Sequence, residues 1–559
     1  MTKTGINIAL LAAMHVSAAS AAAATVHVRA GGDLQMALVN ARPGDVVELE
    51  AEAIFTGNFT LPRKEDSPNV IVLKSAAAGG VALGRITPAN AAAWAKLVSP
   101  NNLPALQTAP GAHHWRIELL EISGRGTADL LALGSSEQSA LSSVPHDIVV
   151  DRCYIHGDAT VGVRRCVALN SASTIVSNSY ISDCKSENDD AQAIAGWNGP
   201  GPFVILNNYL EGSGENVLFG GADPAIANLV PADITIRGNL IAKPVSWRAE
   251  SWQVKNLLEL KNARRVAIQS NTIENNWEAA QSGYAVLFTV RNQDGHCPWC
   301  QVEQVGFTGN TLRHAAGGIE ILGTDDSEPS QQTRTINIRD NFLSDIDPGT
   351  WGGSGYAFLL LGGPRDIAID HNTIIQDNAE GILQVEGPPI LGFVMTNNVA
   401  RQGSYGIKGA DQASGNDTIT AFFPAALVTR NVIADADAQQ YPSGNFFPSD
   451  ADFRAQFASF DTGNYQLASQ SSWRRAGTDG LDLGATAAPA KPTPPRDPRP
   501  DVGAASGSNL RLPLVARSRP KGQGRVRRGM VLMAVGVGLA ALAVFRVAGS
   551  WDRRRGGCE

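Results

Sequence analysis

The stretches VILNNYL at 204–210, ITIRGNLI at 234–241, VAIQSNTI at 266–273 and INIRDNFL at 336–343 share one pattern. Apolar residues alternate, a polar pair ending in Asn interrupts them, and an apolar run resumes. Alternation with a period of two marks a strand with one buried face, and Asn after a second polar or Gly residue marks a tight turn. The same unit recurs as IVSNSYI, VGFTGNTL, IAIDHNTI, VMTNNV and VTRNVI. Aligned on the turn, the equivalent residues are Cys153, Ser179, Asn208, Asn239, Asn271, Asn310, Asn341, Asn372, Asn398 and Asn431, at spacings from 26 to 39 residues. The shortest spacings are nearly equal and only loops lengthen them, as stacking of each coil on its neighbour requires. The expected fold is all-β, a right-handed parallel β-helix. A leucine-rich horseshoe lacks its LxxLxL run here, and a propeller needs four strands per repeat. Eight Asn at one position are expected to accept left-handed backbone geometry and to stack their amides into a ladder inside the solenoid, because unpaired burial would be costly.

Working outward, Leu34, Ala37, Leu38 and Ala41 have helical spacing before Pro43-Gly44-Asp45, so a capping helix precedes the first strands. Thr87-Pro88 starts a second short helix within an irregular insertion. The pattern fades after Arg430 and ends at 477–484. The domain reading is 1–24 signal peptide, 25–145 cap and first coils with an insertion, 146–484 β-helix, 485–528 Pro-rich stalk, 529–547 transmembrane helix and 548–559 basic tail. The apolar segment 530–545, flanked by arginines, is expected to tether an exported chain to the membrane. That expectation makes the membrane a partner and the location extracytoplasmic.

A net charge of -7 on 559 residues argues against nucleic acid as a partner. Cys153, Cys166 and Cys184 fall on successive coils and can supply one disulfide, and Cys297-Pro298-Trp299-Cys300 reads as a loop staple ahead of a redox site. His113, His114 and His371 read as surface or turn residues. Trp247, Trp252, Trp277, Trp299 and Trp351 lie near insertions, where they either stack on sugar rings or cap loops against the solenoid.

The N-terminal stretch LQMALVNARPGDVVEL, the Asn turns and the block AQAIAGWNGPGPFVILNNYLEGSGENVLFGG at 191–221 resemble the pectin-lyase-like superfamily of right-handed parallel β-helix proteins, bacterial extracellular type. The resemblance covers roughly residues 26–484. It implies the fold, and it implies a choice among polysaccharide lyases, glycoside hydrolases, epimerases and adhesive proteins. Lyases of this superfamily use Ca2+ held by carboxylates and an Arg or Lys base. The paired aspartates and GlyHisGly of polygalacturonases are absent from the sequence.

Stacking the strands around Leu260 gives the candidate site. Aligning Trp197, Phe219, Leu260, Val290, Leu322, Leu361 and Val385 as inward residues puts Lys261 beside Arg291 on the outside, with Glu259, Thr289 and Ile321 in the outward column two positions earlier. Lys261, Arg291, Glu259 and Lys255 are the candidate catalytic residues, because removal of a proton from a uronate needs a base and a positive centre, and like charge lowers the pKa of a basic base. Asp189, Asp190 and Glu215 are the candidate Ca2+ ligands. A solvated charge ladder and simple turn residues are the alternative readings of the same positions. The expected function is extracytoplasmic binding or processing of an acidic polysaccharide or cell-envelope glycan, in its enzymatic form Ca2+-assisted β-elimination. A non-catalytic adhesin or envelope scaffold is the alternative.

Overall fold

Each repeat folds into one coil of three short strands, because two turns cut its alternating pattern. One coil is Phe203–Leu206, Tyr209–Gly212 and Glu215–Phe219. In the computed structural model, which describes residues 23–76, 84–126 and 128–486, equivalent strands of successive coils pair in parallel. They form a first sheet of 14 strands, a second of 13 and a third of 12. Handedness follows from the right-handed crossover that parallel strands prefer.

Register is fixed by inward columns. On the first sheet Ile117, Val150, Val176, Ile205, Ile236, Ile268, Phe307, Ile338 and Ile369 pair in succession and are fully buried. Each such side chain contributes about 1.5–3 kcal/mol, and a slip of one residue would turn the whole column outward.

The turn between the first and second sheets carries the ladder. Asn341 donates its side-chain amide to Asn372 Oδ1 at 2.9 Å and to the Phe307 carbonyl at 2.8 Å, while its own Oδ1 accepts from the Asn310 backbone and side chain. The same contact repeats from Asn208 through Asn431 and ends on Asn445. Left-handed backbone geometry falls on the residue before each ladder Asn, as at Asn207, Ser270 and Asp340, and Gly238 and Gly309 fill the place where φ is about 65°. The expectation that the ladder Asn itself adopts it is therefore corrected. The residue before takes the sharp bend, which leaves the ladder Asn to turn its amide inward along the stack.

A less regular set of polar plugs fills the turn between the second and third sheets. Asn276 donates to the carbonyls of Lys255, Gly283 and Tyr284. One coil earlier the plug is Lys243, 1% exposed, whose ammonium donates to Gly212 O, Gly214 O, Asn216 Oδ1 and Asn256 O at 2.6–3.2 Å.

Both ends of the solenoid are covered. The helix Leu34–Asn40, capped by Asp33, buries Leu34 and Leu38 against the first coil. At the other end Asn416–Phe422 packs on the last strand of the third sheet, and Phe453, Phe457 and Trp473 form an aromatic cluster against the outward Phe342, Val399 and Val432 of the second sheet. Cys166 and Cys184 are disulfide-bonded, Cys297 and Cys300 close the expected local staple, and Cys153 is a buried thiol pushed up to about 12 by desolvation.

Among the described residues no helix is long and apolar enough to cross a membrane. This corrects the expectation of a transmembrane helix, of a membrane partner and of a tethered location. The 530–545 segment, like the 1–22 part of the leader, lies outside the described residues.

Candidate functional site

The expected cluster sits on the outer face of the third sheet. Glu215 pairs in register with Gln192 on one side and Asn256 on the other, and Leu258 and Leu260 point inward so that Glu259 and Lys261 point out. Lys255, Lys261 and Asp190 line a cavity of about 180 Å³ together with Arg164, Arg165, Gln192, Trp197 and Gln293. Four of its thirteen lining residues are cationic and one is a carboxylate, the reverse of the chain's overall charge.

The sequence register holds from Phe219 to Leu260, with Leu218 beside Glu259, and fails beyond them. Leu260 pairs with Phe288 and not Val290, Phe219 pairs with Gly196 and not Trp197, and Phe288 pairs with Ile321. The outward column is therefore Leu218, Glu259, Leu287, Glu320 and Leu359. Val290 is buried as well, so hydrophobicity alone does not set the register. Glu320 was missed for this reason, although its place between inward Ile319 and Ile321 was the signal.

Each predicted residue can now be placed. Lys261 lies 3.7 Å from Glu259 Oε1, with 14% of its side chain exposed. Burial alone would lower its pKa, but Glu259, Glu215 and Asp190 outweigh burial and hold it above its ordinary value. The expected depression by like charge is not what surrounds it, and Lys261 keeps its proton at neutral pH. Arg291 is turned to Asp325, at 3.0 Å, and to Asp326; burial lowers its pKa less than these carboxylates raise it. Lys255 is ion-paired with Asp190. Glu259 accepts from Thr289 Oγ1 at 2.8 Å and from Asn256 Nδ2 at 2.9 Å. Burial pushes Glu320 up to about 7, with Glu259 adding to the effect.

Asp189 is exposed, whereas Glu215 is fully buried and raised by desolvation and then by Asp190 and Glu259. Glu215 Oε2 accepts from Gln192 Nε2 at 2.7 Å. Gln192 Oε1, Glu215 Oε1 and Asn256 Oδ1 are buried without a hydrogen-bond partner. Three unpaired oxygens on three register-paired residues are the kind of hard donor set that Ca2+ takes. Glu215, with Gln192 and Asn256 as amides that the carboxylate search in the sequence passed over, could supply oxygen donors to a cation. Asp189, Asp190 and Glu215 are not drawn together as one group.

Among the described residues the three-donor group that does come together is Asp223, Cys297 and Cys300, which can hold a metal ion by distance. Its sulfurs are already joined to each other, and Asp223 accepts the backbone N–H groups of Gln293, Asp294 and His296. In the oxidised chain this group is a loop fastening.

Trp247, Trp277 and Trp351 pack together in a buried cluster with Val254 and Ala316, which favours the loop-capping reading over sugar stacking. His371, read as a surface or turn residue, is a turn residue that is fully buried, with its nitrogens 2.9 Å from Asp370 and 3.4 Å from Asp479. A wider depression of about 640 Å³ lies around Arg401 near the C-terminal cap, but there Arg401 is held by Asp377 and Asp450.

No family model matches the chain, and no curated protein matches it. Solved structures similar to it include alginate lyase from Paenibacillus sp. str. FPU-7, at 17% identity over 58% of this chain and 93% of that one, TM-score 0.37. Others are the PL6 family alginate lyase AlyGC, at 13% identity over 86% of this chain and 60% of that one, TM-score 0.49, and PfbA, a surface adhesin of Streptococcus pneumoniae, at 11% identity over 67% and 85%, TM-score 0.37. With its three stacked parallel sheets, its capping helix and its internal amide ladder, the chain is a right-handed parallel β-helix that resembles pectin-lyase-like solenoids.

Proposed function

We propose that the protein binds an acidic polysaccharide in the third-sheet cavity and cleaves it by Ca2+-assisted β-elimination. The observation that carries this reading is a concentration of cations, Arg164, Arg165, Lys255 and Lys261, beside buried oxygens with no partner, in a chain whose net charge is negative. A uronate carboxylate is drawn to such a cavity, and Lys261, kept protonated, offsets the charge that develops on it as the C5 proton leaves. The C5–H electrons then form the C4–C5 double bond as the C4–O bond breaks. The sequence named Lys261 and Arg291 as bases, but Lys261 keeps its proton and Arg291 is turned to Asp325 and Asp326, so in this reading both act as positive centres. Glu320, at about 7, is the outward carboxylate suited to accept a proton at neutral pH. Glu215, Gln192 and Asn256, with Asp189 and Asp190 at the margin, would hold Ca2+, which would supply positive charge to offset that of the uronate carboxylate. The two disulfides suit action outside the cytosol.

A second reading, binding without turnover, is favoured by a separate fact. Lys255, Lys261 and Arg165 all face carboxylates already. Incubation of the full chain with pectate, alginate and other uronate polymers plus Ca2+ decides between the two. New ends absorbing in the ultraviolet, lost in Lys261→Met with unchanged circular dichroism, are expected. Retention of a glycan without new ends selects the binder, and neither signal refutes both readings.

A further inference from the structure

The loop that carries Cys297-Pro298-Trp299-Cys300 leaves the third sheet after Tyr284–Thr289 and enters the first sheet at Val302–Thr308. Groups other than sulfur moor it. Asn292 Oδ1 accepts the Cys297 backbone N–H at 2.7 Å, and the Cys300 N–H closes a tight turn on the Cys297 carbonyl at 2.9 Å. Trp299 Nε1 donates to the Leu229 carbonyl at 3.1 Å, and Gln331 donates to the carbonyls of Cys300 and Pro298. From a turn two coils earlier, Asp223 accepts the backbone N–H groups of Gln293, Asp294 and His296 at 2.8–3.1 Å. A disulfide between residues only 3 apart adds little to a loop so held, because closing a short ring constrains the unfolded chain least. The two cysteines are nevertheless set in the interior, 0% and 1% exposed.

We propose that in the dithiol form Asp223, Cys297 and Cys300 bind a thiophilic divalent ion such as Zn2+. The two sulfurs and one carboxylate oxygen lie within 4.8 Å of one another. Around a tetrahedral Zn2+, with bonds of about 2.0–2.3 Å, ligand atoms stand roughly 3.3–3.8 Å apart. Once the S–S bond is open, rotation about the two Cα–Cβ bonds parts the sulfurs to that spacing, while the turn that holds their backbones stays. Two residues between the cysteines is a spacing that zinc sites use, and three protein ligands leave a fourth position for water. Thiolates select Zn2+ over Ca2+, which separates this site in chemistry from the oxygen donors of the third sheet.

The disulfide and the ion compete for the same two sulfurs. A phosphine reductant gives two electrons to the S–S bond and takes the oxygen of one water, whose two protons leave two thiols. Zn2+ then displaces both thiol protons and forms two Zn–S bonds. Gln293, whose N–H rests on Asp223, and Ala222, which precedes Asp223, both line the third-sheet cavity. Metal and disulfide are therefore alternative fasteners of one cavity rim, and capture of the ion needs no activity of that cavity.

Untagged full-length protein is reduced with a water-soluble phosphine, freed of phosphine and metal without air, and titrated with Zn2+ in a calorimeter. Reduced wild type is expected to take up one more ion per chain than reduced Cys297→Ser/Cys300→Ser. Both chains keep Cys153, Cys166 and Cys184, so the difference reads this pair alone. Asp223→Asn removes a direct ligand and is expected to weaken that ion by at least the roughly tenfold that loss of a supporting partner costs. If the double variant does not fold, Zn2+ should slow alkylation of Cys297 and Cys300 in the reduced wild type, read by mass spectrometry. Equal uptake by the reduced wild type and a folded double variant, undiminished affinity in Asp223→Asn, or alkylation of Cys297 and Cys300 unchanged by Zn2+ overturns the proposal.

Discussion

The ladder inside the first turn and the patch outside the third sheet use the same chemical groups, amides and carboxylates, to opposite ends. Along the ladder each amide from Asn208 to Asn398 accepts from the coil before it and donates to the coil after it, at 2.8–3.1 Å. On the patch Gln192, Glu215 and Asn256 occupy equally well-paired strand positions and each leaves an oxygen unmet. The difference lies in repetition. A polar group that meets its own kind on both sides closes its hydrogen bonds, and one whose neighbours change type leaves some open for another molecule.

Lys243 gives the sharpest test, because it is an interior plug that breaks the rule of like meeting like. Desolvation lowers its pKa from 10.5 to about 7, against the pull of Glu215 and Glu211. Between those values the unfolded chain holds a proton that the folded chain has lost, so stability rises with pH across this window. Lys243→Met should lack that rise, and the two pH profiles should diverge by on the order of a few kcal/mol between pH 7 and pH 10. Parallel profiles in denaturant titrations would show that Lys243 is no more strained than a ladder amide.

Next in size is the ladder itself. Asn341→Ala strands the Phe307 carbonyl and the Asn310 backbone N–H, at a cost of about 1–3 kcal/mol. A loss no larger than that of Asn188→Ala, an exposed position, would mean that the ladder only follows the coils.

The smallest effect belongs to the patch. Burial raises the pKa of Glu215, so its ionised form costs stability above the ordinary carboxylate range, and the cost grows as pH rises. In the presence of a chelator Glu215→Gln should therefore gain on the wild type in thermal stability from pH 5 to pH 8. Its glycan retention should also lose its Ca2+ dependence. An unchanged Ca2+ requirement would remove Glu215 from the metal site.

The same contrast explains what could be read in the sequence. The ladder positions were legible because Asn recurs where strand alternation also breaks, and the hydrogen bonds follow that column from Cys153 to Asn431. On the third sheet Lys261, Glu259 and Lys255 were found because Leu258 and Leu260 frame them. Glu320 and Gln192 were not. The strand Tyr284–Thr289 runs into a further buried Val290, and Gly196 leaves no side chain to mark the inward face.

The ladder also has a direction. Every rung accepts through its oxygen from the coil before it and donates toward the coil after it, so the backbone N–H of each ladder Asn stays unmet until the following coil has closed. Growth from the N-terminus is then a templated addition, in which the last finished coil presents one open donor that only an inward Asn in the next can fill. The chain supplies its own stop in Asn445, whose oxygen takes the final pair from Asn431 while its nitrogen turns back to the Val428 and Pro442 carbonyls. A chain cut short at any earlier coil would end with a live growing tip.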